Sequence, residues 1–212
     1  MCGVFGYISD DGRETVDMER LRRIAATTSR RGRHAWGMAW LDADGRLHMF
    51  KQQGDVVDAL GLLTLARNAV ALIGHCRFTT QGHERNNSNN HPHPVDGGWF
   101  VHNGVVRGFR RIYETLGTRP ISECDTEALG HVMAATGGSR ADQAWAAADA
   151  VGESAPFAML GLWRGELVAL ADGNPLHVGE DGQTTWFGSL AQSLPGRPVN
   201  VQSEALIYET GA

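Results

Sequence analysis

The sequence predicts one layered α+β domain, residues 1–212, built on antiparallel sheets. Strand-like stretches come early and late, with helical ones between them. Two short turns, Asp42-Ala43-Asp44-Gly45 and Arg164-Gly165, join apolar runs in the manner of hairpins. No internal repeat, low-complexity tract or linker divides the chain.

Val4, Phe5 and Ile8 mark a first strand that starts beside Cys2 and ends at an Asp10-Asp11-Gly12 turn; by itself it reads as an edge strand. Met18, Leu21, Ile24 and Ala25 recur at helical spacing with arginines between them, so a surface helix is predicted over 16–28. A basic loop, 29–34, follows, then hairpin arms over 36–41 and 47–51 and a short helix over 56–66. The apolar run 70–74 has the character of a strand covered on both faces, and it delivers His75-Cys76-Arg77-Phe78 at its end. Residues 79–98 are polar and rich in Asn and Pro; a loop that long is usually functional, and 81–98 is the expected lid. Strand 99–101 ends on His102-Asn103-Gly104. Helices are predicted over 109–116, after Asp125 as N-cap, and from Ser139 to Val151. Strands over 157–163, 167–171, 184–189 and 205–208 complete the set. All six tryptophans fall in apolar elements and are expected in the core.

Bulk properties narrow the function. An apolar content of 42% with 20% charged residues describes an ordinary globule. The net charge of -5 argues against binding nucleic acid or an anionic membrane. No apolar run reaches the ~20 residues of a membrane span, and the N-terminus does not resemble a signal sequence. Three cysteines without paired spacing fit a reducing cytoplasm better than a disulfide framework.

The chemistry gathers where strands end. If Met1 is removed, Cys2 carries a thiol and a free α-amine on one residue, which is a nucleophile with its base attached. The amine titrates at roughly 8 and a free thiol at roughly 8.5, so neither is far from working pH. Asn103 can offer a side-chain N–H and Gly104 a backbone N–H to a developing oxyanion. Arg77 can take a carboxylate in a two-pronged hydrogen bond and Asp125 an ammonium, a pair suited to an α-amino acid. Each has a plainer alternative: surface cation for Arg77, tight turn for Asn103-Gly104, helix cap for Asp125. His91 and His93 could present two nitrogens to a metal, but no Cys-x-x-Cys or His-Glu-x-x-His spacing accompanies them, so no metal is predicted.

Six stretches, in order along nearly the whole chain, resemble the class II glutamine amidotransferases, the N-terminal-nucleophile glutaminase domains. They are Met1-Cys2-Gly3-Val4-Phe5-Gly6; Arg31-Gly32 with Trp36-Gly37; Gly74-His75-Cys76-Arg77-Phe78-Thr79-Thr80-Gln81-Gly82; Asn90-His91-Pro92-His93; Val101-His102-Asn103-Gly104; and Cys124-Asp125-Thr126-Glu127. Asn174-Pro175-Leu176 with Gly179 is a fainter echo. The resemblance implies a four-layer αββα sandwich of two antiparallel sheets, the N-terminal-nucleophile hydrolase fold, with the mature chain beginning at Cys2. It implies Cys2 as nucleophile, Asn103 and Gly104 as oxyanion donors, and Arg77, Phe78, Thr80, Gln81 and Asp125 as binding L-glutamine. Arg31 matches the arginine of a family loop near the nucleophile. No metal or organic cofactor is implied.

Two stretches depart from the family pattern. Ala171-Asp172-Gly173 stands where many members have an Arg-Asp pair, and Ser189-Leu190 where they often have Ser-Glu. The 212 residues leave no room for a synthase domain, so a separate ammonia-accepting synthase is the expected partner. Alternatives are an N-terminal-cysteine acylase or γ-glutamyl hydrolase acting on another amide, a non-catalytic glutamine-sensing subunit, and a metal-binding module.

Overall fold

The first strand sets the layering through its period-two alternation. Along β1 (Gly3–Ser9), Val4 and Ile8 belong to one core while Phe5 and Tyr7 belong to another, so the strand is apolar on both faces. A computed structural model describes residues 1–10, 12, 15–152, 155–182 and 184–210. Asp11 of the predicted turn after β1 lies outside the described residues; Gly12 N–H donates to the Ser9 carbonyl at 3.3 Å.

The chain continues through α1 (Met18–Thr28), β2 (Ala35–Asp42), β3 (Leu47–Gln53), β4 (Ala69–Arg77), β5 (His93–Val95) and β6 (Gly98–Asn103). Three helices follow, α2 (Phe109–Leu116), α3 (Glu127–Ala135) and α4 (Arg140–Val151). The last third is β7 (Phe157–Leu162), β8 (Glu166–Asp172), β9 (His177–Glu180), β10 (Thr184–Gly188), β11 (Val199–Asn200) and β12 (Glu204–Glu209).

Two antiparallel sheets result, ordered β11-β9-β10-β1-β4-β2-β3 and β12-β8-β7-β6-β5. Three cores separate four layers. Val4, Ile8, Ile73, Val101, Leu160 and Phe187 fill the space between the sheets. Phe5, Tyr7, Leu21, Ile24, Trp36 and Trp186 pack α1 onto the larger sheet. Phe100, Leu129, Met133, Ala144, Met159 and Leu170 pack α3 and α4 onto the smaller one. Each fully buried large side chain contributes about 1.5–3 kcal/mol, so the αββα arrangement follows from strands that are apolar on both faces. β1 is interior, paired with β10 on one side and β4 on the other, so the edge-strand reading does not hold.

Several expectations need correction. Segment Val56–Ala66 is helical only as 3-10 turns, broken at Ala59 where φ is -134° and ψ 23°. Residues 79–98 are not one loop: Asn89, Asn90, His91 and His93 are buried, and β5 pairs with β6. Backbone polar groups that deep must be bonded, which leaves only the exposed 81–88 portion free to act as a lid. Strands β5, β9 and β11 were not anticipated. Trp145 is 38% exposed and does not belong to the core, unlike Trp36 and Trp186. The cap of α3 is Thr126 without a side-chain bond, so Asp125 is not its cap.

Candidate active site

β1, β4 and β6 bring the predicted residues toward one end of the two sheets. Gly3 pairs with Cys76 across β1 and β4, which sets Cys2 beside the residues that leave β4. There the Cys2 sulfur lies 3.3 Å from the Phe78 N–H nitrogen and 3.4 Å from the Phe78 carbonyl oxygen. Arg31 Nε donates to the Cys2 carbonyl at 2.7 Å, a charge-assisted bond that fixes the backbone of the residue. Gly32 makes that approach possible, since a Cβ there would overlap the backbone of Arg77 and Phe78. Ser189 fastens the same strand: its hydroxyl accepts from Val4 N–H at 2.9 Å, and its own N–H donates to the Val4 carbonyl at 3.0 Å.

Alternation along β6 decides what points where. Val101 faces the inter-sheet core and Phe100 the helices, so Asn103 lies on the inter-sheet side and His102 on the helix side. His102 Nδ1 accordingly meets Thr126 Oγ1 at 3.0 Å. Asn103 is 3% exposed, and its side-chain nitrogen has no partner among the described residues. Its carbonyl accepts from Asn174 Nδ2 at 2.8 Å, and the same amide donates to the Pro156 carbonyl at 3.0 Å. Gly104 leaves room for the ring of His102, which a Cβ would strike.

Cys2, Phe78, Thr80, Asn103, Gly104 and Asn174 line a single cleft of about 670 Å³, together with the end of α4 and Pro156. Arg77, Gln81 and Asp125 do not line it. Gln81 is exposed and borders a neighbouring cavity of about 470 Å³ with Gly82, Tyr113 and Glu123. Arg77 is buried: Nη1 donates to Asn90 Oδ1 at 3.0 Å, and Nη2 donates to the carbonyls of Gln81 and Gly82. Asp125 is buried as well, with Oδ2 accepting from Val106 N–H at 2.7 Å.

The electrostatics couple these groups to the thiol. Burial pushes the Cys2 thiol above its ordinary value; the Phe78 hydrogen bond, the positive chain terminus and Arg77 pull it back, while the Asp125 carboxylate adds to the rise. Burial likewise raises Asp125, against the amides of Val106 and Thr126 that hold its charge. His102 is pushed down to about 4 by burial, so the ring beneath Gly104 is neutral.

Two residues escaped the sequence reading. Asn174 bridges the Asn103 carbonyl to Pro156, although it sat only in the faintest of the matching stretches. Ser189 anchors β1 although it falls where the chain departs from the family pattern.

An αββα sandwich of two antiparallel sheets, entered by a first strand that begins beside a cysteine, is the N-terminal-nucleophile fold. No family model matches the chain. It is 32% identical over 150 residues to the glutamine--fructose-6-phosphate aminotransferase (isomerizing) of Helicobacter pylori, an alignment covering 67% of this chain and 24% of that protein. It is 37% identical over 143 residues to the protein of the same name from Aeropyrum pernix, covering 63% and 22%. Among solved structures, the glutamine phosphoribosylpyrophosphate amidotransferase of B. subtilis superposes with a TM-score of 0.80 at 21% identity, covering 98% of this chain and 47% of that one. The chain belongs to the class II glutamine amidotransferase domains, a family of enzymes. It spans about a quarter of the length of these two curated relatives.

Proposed function

We propose that the chain hydrolyses L-glutamine to glutamate and ammonia, with Cys2 as nucleophile once Met1 has been removed. The observation that carries this reading is the meeting of the Cys2 sulfur, the unpartnered Asn103 amide and Gly104 on one cleft. Met1 is 73% exposed and so open to removal. The freed α-amine takes the thiol proton, which matters because burial disfavours a spontaneous thiolate. Sulfur attacks the side-chain carboxamide carbon, and Asn103 with Gly104 stabilises the oxyanion. The intermediate collapses as the protonated amine gives its proton to the departing ammonia, leaving a γ-glutamyl thioester. Water, deprotonated by the same amine, hydrolyses the thioester to glutamate and restores the thiol.

Arg77 and Asp125 are the proposed holders of the α-carboxylate and α-ammonium. Both couple electrostatically to Cys2, yet neither opens onto the cleft. Glutamine binding therefore entails a shift of residues 81–82, whose carbonyls occupy Arg77 Nη2. Thr80 and the Phe78 backbone line the same cleft, and Gln81 follows the moving segment. Arg31 positions Cys2 through its carbonyl. The ammonia passes to an acceptor synthase, separate from these residues or joined to them. Three free thiols accord with a reducing cytoplasm, and no helix among the described residues is long and apolar enough to cross a membrane.

A second reading, hydrolysis of another amide by the same nucleophile, draws on the cleft volume of about 670 Å³, which lies within the range of sites for drug-sized ligands, and on the occupied Arg77. One experiment separates the two. Protein lacking Met1 is assayed for glutamate release and treated with 6-diazo-5-oxo-norleucine, followed by mass spectrometry. Release of glutamate and a single label on Cys2 are expected. If the Met1-free protein neither takes the label nor releases glutamate, the glutaminase reading fails.

A further inference from the structure

A second cluster of metal-ligating side chains lies outside the cleft. His91 and His93, which flank Pro92 at the start of β5, and Cys124, which precedes α3, bring a ring nitrogen each and a sulfur within 4.8 Å of one another. All three are buried, His91 4% and His93 1% exposed. Among the described residues, both nitrogens of His91 and Nε2 of His93 are buried without a partner, a rare condition for polar atoms. The His91 and His93 rings lie 4.7 Å apart at 83°, and His75 stacks on His91 at 3.9 Å, which holds the His91 ring plane.

We propose that His91, His93 and Cys124 form a zinc site that ties β5 to the segment entering α3. The inference stands apart from the glutaminase reading, since none of the three is used there. Two imidazoles and one thiolate are a borderline-soft donor set, which favours zinc over magnesium or calcium. Zinc–nitrogen bonds of about 2.0–2.1 Å and a zinc–sulfur bond of about 2.3 Å place tetrahedral donors roughly 3.3–3.7 Å apart. The cluster has to tighten by about 1 Å, within the reach of small side-chain rotations. On binding, the Cys124 S–H bond breaks, its proton leaves for solvent and the sulfur lone pair bonds the metal; no oxidant or reductant is involved. A water fills the fourth position.

Charge around the cluster is mixed. Lys51 donates to the carbonyls of Asn90 and Pro92 at 2.7 and 3.0 Å and opposes a dication. The Asp125 carboxylate, 3.8 Å from the Cys124 sulfur, offsets it, as does the thiolate itself. Spacing along the sequence hides the site, because Cys124 comes far after the two histidines and only the fold unites them.

The test uses the full chain carrying Cys2→Ser, so that the thiol in the cleft takes no part, stripped with a chelator and titrated with Co²⁺ and then Zn²⁺. One equivalent of cobalt is expected, with a thiolate-to-cobalt charge-transfer band in the near ultraviolet that zinc abolishes. Adding Cys124→Ser should remove the band and weaken metal binding at least about tenfold, whereas adding Cys76→Ser should leave the band in place. Should Cys124→Ser fail to fold by circular dichroism, His93→Gln serves, with the same weakening of cobalt binding expected. No saturable cobalt binding, a band that survives in the Cys124 variant, or a His93 variant that binds cobalt as tightly as its parent, overturns the proposal.

Discussion

Replacing Asn103 with alanine separates chemistry from folding at this site. The Asn103 side-chain nitrogen has no protein partner, so truncation breaks no hydrogen bond from that donor. The backbone stays where it is, because Asn174 holds the Asn103 carbonyl at 2.8 Å. The cost to stability is therefore that of a small buried truncation, about 1 kcal/mol, which leaves a domain of ordinary stability almost wholly folded. Removing one oxyanion donor typically costs about 100- to 1,000-fold in turnover, or roughly 2.7–4 kcal/mol of barrier. The two effects differ enough to be read independently. Glutamate release at saturating glutamine gives kcat, and a urea midpoint gives stability. We expect kcat and kcat/KM to fall together, since the lost interaction exists only in the transition state. A kcat within about threefold of the parent, or a loss that merely tracks the unfolded fraction, would refute Asn103 as an oxyanion donor.

Other consequences follow from the same geometry. Asn174→Ala should lower kcat about tenfold, the worth of one hydrogen bond of about 1–1.5 kcal/mol, with KM nearly unchanged; a pure KM effect would remove Asn174 from the positioning of Asn103. While Met1 is present, the Cys2 thiol lies above its ordinary value, so alkylation by iodoacetamide should reach half its maximal rate at a pH above that of a free thiol; a midpoint below that of glutathione would contradict the geometry. His102 is held near 4 against an ordinary 6.5, so the unfolded chain binds more protons in that window. The stability His102 contributes is present above pH 6.5 and lost as pH falls toward 4, by about 3 kcal/mol, and denaturant midpoints for the parent and His102→Gln should converge in acid. Glu127 accepts from the N–H groups of Ile121 and Ser122, both at 2.7 Å; Glu127→Ala should cost about 1–3 kcal/mol, visible in the thermal midpoint, and a shift inside experimental error would show that these bonds are replaced by water.

Much of this was legible because the relevant signals are local. The apolar runs of β1 and β4, the turn after Asp42 and the helix start at Ser139 all lie within a few residues of the elements they define. Cys2, Asn103 and Gly104 could be placed together because each sits at the end of an apolar strand, and strand ends share an edge of the sandwich. What was missed depends on distant partners. β5 and β9 are short and become strands only through pairing with β6 and β10. Asp125 looks like a helix cap in sequence, but Val106, remote along the chain, claims its carboxylate. Arg77 was correctly placed at a strand end, yet its bonds to Asn90, Gln81 and Gly82 depend on how the following segment folds back. Trp145 shows the limit of composition: an aromatic within an alanine-rich helix can still lie on the outward face.

The interior position of β1 dictates how the protein has to be handled. Because β10 and β4 clasp this strand from both sides, Cys2 is held at the mouth of the cleft, with Met1 beside it and largely exposed. Under the proposed mechanism, an affinity tag joined ahead of Cys2 would cap the amine and crowd the cleft, even with every strand correctly paired. Such a preparation would pass each structural check and still be inert, so tags belong at the opposite terminus.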